Sequence, residues 1–344
     1  MRILFATAHK HLPELHGGME VNTHQLAHEL MALGHEVGAM AGLKGIGWTG
    51  FQAKLRIKLG VSSPSDRGLG YRTWRAWDVL PVAERVTKAF RPDLIVLQGG
   101  HNFIPLLKLY RSLGLPVVGY LHNGDLLPLD VELRNDPHIH FIANSNFTAS
   151  LHPDKRMAAV VRPLVPREPY ATPTDRSAAV FINPSPYKGL DIVLALARAR
   201  PDVKFLFVVN GMKPPPSPEE LSSNIEVIGP FSDMKRVYAR ARVVLAPSKW
   251  DEAWGRIATE AHINGIPVLA TLRGGLPEAV GPGGLCLAED APADQWLEAF
   301  AALWGDSGRY QDFVDASFAH SRREEVDPAF VVQSFVDVLT RAVG

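Results

Sequence analysis

One cysteine, Cys286, in 344 residues leaves no partner for an intramolecular disulfide, so no disulfide framework can hold this chain together. It lies in an apolar Gly-Leu-Cys-Leu run that reads as a strand, where a buried and inert thiol is expected. Long apolar runs are absent as well. None approaches the roughly 20 residues needed to cross a bilayer, and the opening Met-Arg-Ile-Leu-Phe-Ala-Thr is too short for a signal peptide. A soluble cytoplasmic protein is the expectation. An excess of either charge is missing too: 36 Lys and Arg balance 36 Asp and Glu, which argues against a dedicated nucleic-acid binder. There is no internal repeat and no low-complexity segment.

What the chain does have is alternation. Short apolar stretches are spaced by amphipathic ones, the pattern of parallel α/β layers. Strands are predicted at Ile3–Thr7, Glu36–Ala41, Leu94–Leu97, Val117–Leu121 and His140–Ala143, then at Ala179–Ile182, Lys204–Val209, Ile225–Ile228, Val243–Ala246 and Val268–Thr271. Between them, Pro163, Pro166, Pro169 and Pro173 crowd into a dozen residues, which suits neither a central strand nor a helix interior. This reads as a linker. The fold expected is α/β, with two doubly wound Rossmann-like domains facing across a cleft. Residues 1–165 form the first domain and 166–325 the second. Residues 326–344 hold a terminal helix from Phe330 to Val343.

The stretch Pro247–Glu278 carries the most chemistry. It reads as a strand end, a loop, a helix from Arg256 to Asn264 stopped by Gly265, and a second strand from Pro267 to Thr271. Loops at the carboxyl ends of parallel strands border the crevice where open α/β sheets bind ligands, and a helix starting after Gly255 offers unpaired N–H groups to an anion. Glu252 precedes that helix and can reach the far, sugar-like end of a ligand. Glu260, eight positions on, is an acceptor-only carboxylate suited to ribose hydroxyls.

Pro247-Ser248, Glu252-x7-Glu260 with Gly255 between, Gly265-Ile266-Pro267-Val268 and Gly274-Gly275-Leu276-Pro277-Glu278 together resemble the donor-site signature of retaining GT-B glycosyltransferases of the glycogen-synthase-like type, family 4 or group 1. The resemblance implies a GT-B fold and a terminal helix that packs back toward the first domain. It also implies a nucleoside-diphosphate sugar as donor, bound near Ser248, Glu252, Gly255, Arg256, Ile257 and Glu260.

The resemblance extends to the first domain. Gly17 and Gly18 follow the first strand and precede a helix ending Gly34-His35-Glu36-Val37, and in the family such a loop lines the diphosphate side of the cleft. His122 ends the strand Val117–Leu121, where the family has a histidine beside the donor sugar. Its implied role is a hydrogen bond to the transferred sugar or the reacting centre. Asp125 and Asn144 are weaker candidates on the acceptor side, since Asn-Gly-Asp is first of all turn chemistry and Asn144-Ser145 equally suits a helix cap. His9, His11 and His16 crowd the loop after the first strand. No Cys or carboxylate spacing completes a metal set around them, so solvated or acceptor-contacting histidines are expected.

In the second domain Lys188 matches the family's lysine on the diphosphate, but Asn183 stands where an arginine is usual. Lys188 and the helix N-terminus must then suffice, or another cation, Arg162, Arg256 or Arg273, replaces it. The base is expected near Gly229-Pro230-Phe231. No Asp-x-Asp pair follows a strand, so neither metal nor other cofactor is expected. The resemblance implies substitution at the anomeric carbon with retention, catalysed by His122, Lys188 and Glu252, with Glu252 orienting the sugar. A nucleotide-sugar epimerase and a non-catalytic sugar-nucleotide-binding protein are the other readings.

The acceptor is open: a glycan, a lipid-linked molecule or a small molecule. Lys44–Trp77 carries Lys54, Arg56, Lys58, Arg67, Arg72 and Arg75 against Asp66, with Trp48, Trp74 and Trp77. Two readings stand: a solvated insertion over the cleft, or a peripheral contact with the inner membrane face or an anionic acceptor.

Overall fold

The computed structural model describes residues 1–122, 129–153, 155–209, 217, 219, 221–229, 233–305 and 307–344. These form two compact units, Met1–Leu164 with Pro328–Gly344, and Val165–Asp327.

The first unit is built on a sheet of β1 (Arg2–Lys10), β2 (Glu36–Gly42), β3 (Ser65–Asp66), β4 (Arg72–Ala76), β5 (Leu94–Gln98), β6 (Val117–Leu121), β7 (Ile139–Ala143) and β8 (Met157–Val160). Their order is β3-β4-β2-β1-β5-β6-β7-β8, parallel except for the β3–β4 pair. Strands such as Leu94–Gln98 are buried along their whole length because helices cover both faces. On one face lie α3 (Leu80–Phe90) and α4 (Phe103–Ser112), packed over Leu4, Ile95, Leu97 and Phe141. The other face holds α1 (Gly18–Ala32) and the last helix of the chain, Pro328–Val343. Phe335 of that helix is fully buried, stacked on Phe5 with ring centres 6.3 Å apart and 5.6 Å from Tyr120. Three further helices lie in the unit: α2 (Gly47–Lys58), α5 (Val131–Asn135) and α6 (Asn146–Ser150).

The second unit has a six-stranded parallel sheet of β9 (Ala178–Ile182), β10 (Lys204–Val208), β11 (Ile225–Ile228), β12 (Ala241–Ala246), β13 (Val268–Thr271) and β14 (Gly284–Leu287), in the order β11-β10-β9-β12-β13-β14. One face carries α7 (Leu190–Ala199), α11 (Ala293–Trp304) and α12 (Ser307–His320) over Phe181, Phe205, Phe207 and Leu269. Helices α8 (Lys235–Tyr238), α9 (Arg256–His262) and α10 (Leu276–Val280) lie over Val180, Leu206 and Val244 on the other. The chain's last helix is α13 (Pro328–Val343).

One sequence expectation needs correction. Lys44–Trp77 is a solvated insertion only in its first part: β4 pairs with β2, and Thr73, Trp74 and Arg75 are buried. Arg75 is 1% exposed, with its charge met by Glu14 at 3.6 Å and Asp66 at 3.0 Å. The first unit ends and the second begins at Leu164 and Val165, inside the proline-rich stretch, and both of these residues are buried among core side chains.

Candidate functional site

Each sheet reverses its strand order once, between β1 and β5 in the first unit and between β9 and β12 in the second. At such a point neighbouring connections leave toward opposite faces, and a crevice opens beyond the carboxyl strand ends.

In the second unit this crevice gathers most of the residues singled out in the sequence. Asn183 follows β9 in a left-handed conformation, φ 58°, which asparagine adopts more readily than most side chains. Its N–H donates to the Val208 carbonyl at 2.8 Å. The Asn183 Oδ1 and Ser185 Oγ atoms are buried with no hydrogen-bond partner among the described residues. A tight turn, Pro186–Lys188, then leads to Gly189 with φ 80°. A Cβ on Gly189 would stand 2.0 Å from the Pro247 carbonyl oxygen, so only glycine lets the loops after β9 and β12 touch backbone to backbone. The Lys249 N–H donates to the Tyr187 carbonyl at 2.9 Å and joins the same two loops.

That contact brings Lys188 onto Glu252. The Lys188 ammonium donates to Glu252 Oε1, and Ser248 Oγ lies 3.1 Å from the same oxygen. Ser248 is 1% exposed and its carbonyl accepts from Thr271 Oγ1 at 2.6 Å, which fixes the loop to β13. Glu252 is held from behind by Gly274 and Gly275. The Gly275 N–H donates to its carbonyl at 2.6 Å, and a Cβ on Gly274 would come within 2.4 Å of that oxygen. A cation and a carboxylate, both partly open to solvent, therefore sit side by side beyond the strand ends.

Gly255, φ 97°, opens α9 and packs on Leu276. Arg256 and Ile257 begin the helix. Arg256 reaches Glu260 at 3.6 Å and donates to the Tyr170 hydroxyl at 3.2 Å; Ile257 packs against the apolar core. Glu260 is 7% exposed and accepts from the Tyr238 hydroxyl at 2.8 Å. Burial pushes its carboxyl up from the usual range, while Arg256 and Tyr238 hold it down. Gly229 follows β11 at φ 111°, with no room for a Cβ beside the Val209 carbonyl; Pro230 and Phe231 lie outside the described residues. Two of the three substitute cations already serve carboxylates. Arg256 faces Glu260, and Arg273 is held by Asp251 at 2.8 Å and by Glu289. Arg162 belongs to the first unit.

In the first unit, Gly17 caps α1 in extended conformation and Gly18 is its first residue. The anion at this helix start is the protein's own. Glu20 is 5% exposed and its carboxylate takes the backbone N–H groups of Gly17 and Glu20, while burial raises its pKa to about 7. His122 is half-buried at the end of β6, with its ring 4.2 Å from Tyr120 and Nε2 3.4 Å from the Gln98 amide. An amide N–H there donates to an unprotonated Nε2, leaving the ring proton on Nδ1. Desolvation, aided by His9, lowers the His122 pKa to about 3, so the ring is neutral at physiological pH. Thr23 Oγ1 lies 2.8 Å from the same Gln98 nitrogen and 3.0 Å from the Gln98 amide oxygen, a buried contact that sequence reading missed. Nothing in the local pattern around Gln98 marks it, because its partners come from α1 and β6.

Asn144 is 4% exposed and its Oδ1 accepts from the Thr148 hydroxyl, while Ser145 Oγ accepts the Thr148 N–H. The pair is engaged in capping α6. Asp125 lies outside the described residues. His11 is not solvated: it is buried with Nε2 2.9 Å from the Tyr71 hydroxyl. Among the described residues no group of three or more His, Cys, Asp or Glu is arranged to hold a metal ion.

Comparison with known families places these observations. The description "Glycosyltransferase Family 4" matches residues 16–159 and "Glycosyl transferases group 1" matches residues 185–306. The chain carries a family 4 and a group 1 glycosyltransferase domain, one in each half. Similar curated proteins include a D-inositol 3-phosphate glycosyltransferase of Segniliparus rotundus, 32% identical over 44% of this chain, and one of Mycobacterium sp. (strain KMS), 35% identical over 39%. The matches span only 37% and 36% of those relatives' lengths.

Solved GT-B glycosyltransferases share the fold over nearly the whole chain. Sucrose-phosphate synthase from Thermosynechococcus elongatus has a TM-score of 0.77 at 14% identity, covering 99% of this chain and 98% of its own. HepE from Anabaena, solved in complex with UDP and glucose, has a TM-score of 0.72 at 20% identity, covering 99% of both. Gly17, Gly18, His122 and Asn144 fall inside the family 4 match, and Lys188 through Glu260 inside the group 1 match. Asn183 falls just before the latter begins.

Proposed function

We propose that this glycosyltransferase moves a sugar from a nucleoside-diphosphate sugar to an acceptor hydroxyl, with retention of anomeric configuration and without a metal ion. The observation that carries the reading is the Lys188–Glu252–Ser248 constellation at the strand-order reversal of the second unit. A diphosphate needs a fixed cation, and a sugar needs a fixed acceptor of hydroxyl hydrogen bonds; Lys188 and Glu252 are that pair. HepE has been solved with UDP and glucose, which supports a nucleoside diphosphate and a hexose as the ligand chemistry here.

In the proposed reaction the bond from the anomeric carbon to the diphosphate oxygen breaks and its electron pair leaves with the nucleoside diphosphate. The acceptor oxygen bonds to that carbon from the same face and passes its proton to the departing phosphate. Lys188 turns from Glu252 to the phosphate and offsets the charge that develops there. Glu252, released, orients the sugar hydroxyls. Neutral His122 offers its ring to the sugar or the reacting centre. Glu260 is proposed to accept from the ribose through its Arg256-facing oxygen. The resemblance to D-inositol 3-phosphate glycosyltransferases supports a polyhydroxylated, phosphorylated acceptor.

The test is release of nucleoside diphosphate from UDP-, GDP- and ADP-sugars, with and without an inositol phosphate and with and without EDTA. Acceptor-dependent release that EDTA leaves unchanged supports transfer without metal. Sugar conversion without any acceptor identifies an epimerase, and saturable binding with neither reaction identifies a binding protein. Glu260→Ala is expected to weaken nucleotide binding, whereas His122→Ala lowers turnover more than binding. Negligible effects of both variants in both assays would overturn the site assignment.

A further inference from the structure

Helix α2 is built with two apolar faces, and the fold uses only one. Gly50 and Ala53 are buried against the first unit, with Ile57 half-buried one turn on. Trp48, Phe51, Leu55 and Leu59 recur at spacings of three and four, which gathers them on the opposite face. They are 72%, 56%, 48% and 75% exposed, and the Trp48 and Phe51 rings stack 6.0 Å apart. Trp77, 57% exposed, lies against Gly45 just before the helix and extends the patch. A contiguous apolar face of this kind marks an interaction surface, whereas scattered exposed apolar residues need no explanation.

Its flanks have one sign of charge. Lys44, Lys54, Arg56 and Lys58 are exposed, and no Asp or Glu occurs from Leu43 to Ser65. Their hydrogen bonds run to neutral oxygens: Arg56 donates to the Ser65 carbonyl at 2.8 Å, and Lys54 Nζ lies 3.4 Å from the Gly45 carbonyl. The helix is also firmly mounted. Glu14 Oε1 accepts the N–H groups of Gly45 and Ile46, the latter at 3.2 Å, while Arg75 lies 3.6 Å from its other oxygen inside the unit.

We propose that the outer face of α2 docks on an anionic lipid bilayer. An apolar stripe with aromatic rings at one end and cations on both sides matches a surface whose headgroups are negative and whose acyl boundary is apolar. A groove in a protein partner would have to supply acidic walls on both sides of one helix; a bilayer supplies them without design. The proposal does not depend on the transfer reaction, and no step of that reaction is used to argue it.

The whole protein is sedimented with sucrose-loaded vesicles of phosphatidylcholine alone and with 30% phosphatidylglycerol, using brominated acyl chains to quench any tryptophan that inserts. Binding to the anionic vesicles is expected, with quenching of fluorescence and roughly tenfold weaker binding at high salt, since surface charge is screened. Trp48→Ser with Phe51→Ser is expected to lower binding about tenfold or more, and Lys54→Glu with Lys58→Glu likewise, both leaving the thermal midpoint unchanged because these residues are exposed. Absence of binding to anionic vesicles at low salt overturns the proposal. So does binding that neither pair of substitutions lowers. Concentration-dependent dimerisation abolished by the Trp48 and Phe51 substitutions, without vesicle binding, would assign the face to a second copy of this chain instead.

Discussion

The Lys188 ammonium donates to Glu252 Oε1, and Ser248 Oγ shares that oxygen, so a cation following β9 and a carboxylate following β12 neutralise each other. A bound diphosphate has to compete with Glu252 for Lys188. Glu252→Gln removes the competing charge and is expected to tighten nucleoside-diphosphate binding by about threefold to tenfold while lowering transfer by at least an order of magnitude. Lys188→Ala is expected to weaken the same binding by about tenfold or more. Calorimetric titration with UDP, GDP and ADP decides it; equal losses in both variants would mean that the pair only holds the loops together.

Asn183 stands where an arginine is usual, and its backbone explains part of that choice. At φ 58° a long side chain is strained by roughly 1 kcal/mol, which asparagine largely avoids and glycine avoids altogether. Asn183→Gly is expected to keep the thermal midpoint within a degree or two. Asn183→Arg is expected to lower it by several degrees and yet to bind diphosphate more tightly. Unchanged diphosphate affinity would show that another group already fills the role.

Glu20 makes stability depend on pH in a direction opposite to most carboxylates. Its folded-state pKa, about 7, lies above the ordinary 4.5, so its contribution is fully present below about pH 4.5 and is lost as pH rises through 7. Glu20→Gln is expected to stabilise the protein at pH 8 by about 3 kcal/mol, since each tenfold change in proton affinity corresponds to about 1.4 kcal/mol and the glutamine still accepts the helix N–H groups. The difference should vanish near pH 4.5. Melting curves of the two proteins from pH 4.5 to 8 test it, and a constant offset would show that packing rather than ionisation is responsible.

Gly189→Ala puts a methyl group 2.0 Å from the Pro247 carbonyl at a positive φ, where both the steric and the torsional terms are unfavourable. A loss of roughly 2–4 kcal/mol is expected, confined to the second unit. It should be accompanied by weaker nucleotide binding, since Lys188 is the residue before it. Exchange of backbone amides in β9 and β12, measured by mass spectrometry, reads the loss locally. Unchanged protection in those strands would show that the two loops can part without consequence.

Strand alternation was legible wherever burial on both faces made runs such as Leu-Ile-Val-Leu, and the donor-side loops were legible because glycine and proline fix their turns. Strand β4 was not, because Arg-Thr-Trp-Arg-Ala reads as surface. Arg75 is tolerated inside only because Glu14, 61 positions earlier, and Asp66 meet its charge. The burial of Glu260 was hidden for a similar reason: Tyr238 and Arg256 surround it only after the sheet forms. The outer face of α2 was visible as composition but not as a face. Its inner side is glycine and alanine, so only the packing of Gly50 and Ala53 shows which side is left over.

The sixteen residues of α13 fill one side of the first unit's core with Val331, Phe335, Val338 and Leu339, although Val165–Asp327 separates them from the rest of that unit. Synthesis runs in the other direction. Strands β1 to β8 leave the ribosome with the Phe5 and Tyr120 side of their sheet covered only by α1, and it stays so until the second unit and then α13 have been made. At about 5–20 residues per second that interval is on the order of ten seconds or more. The second unit, a continuous stretch, can close during the wait, so the unit that is made first is the last to be completed.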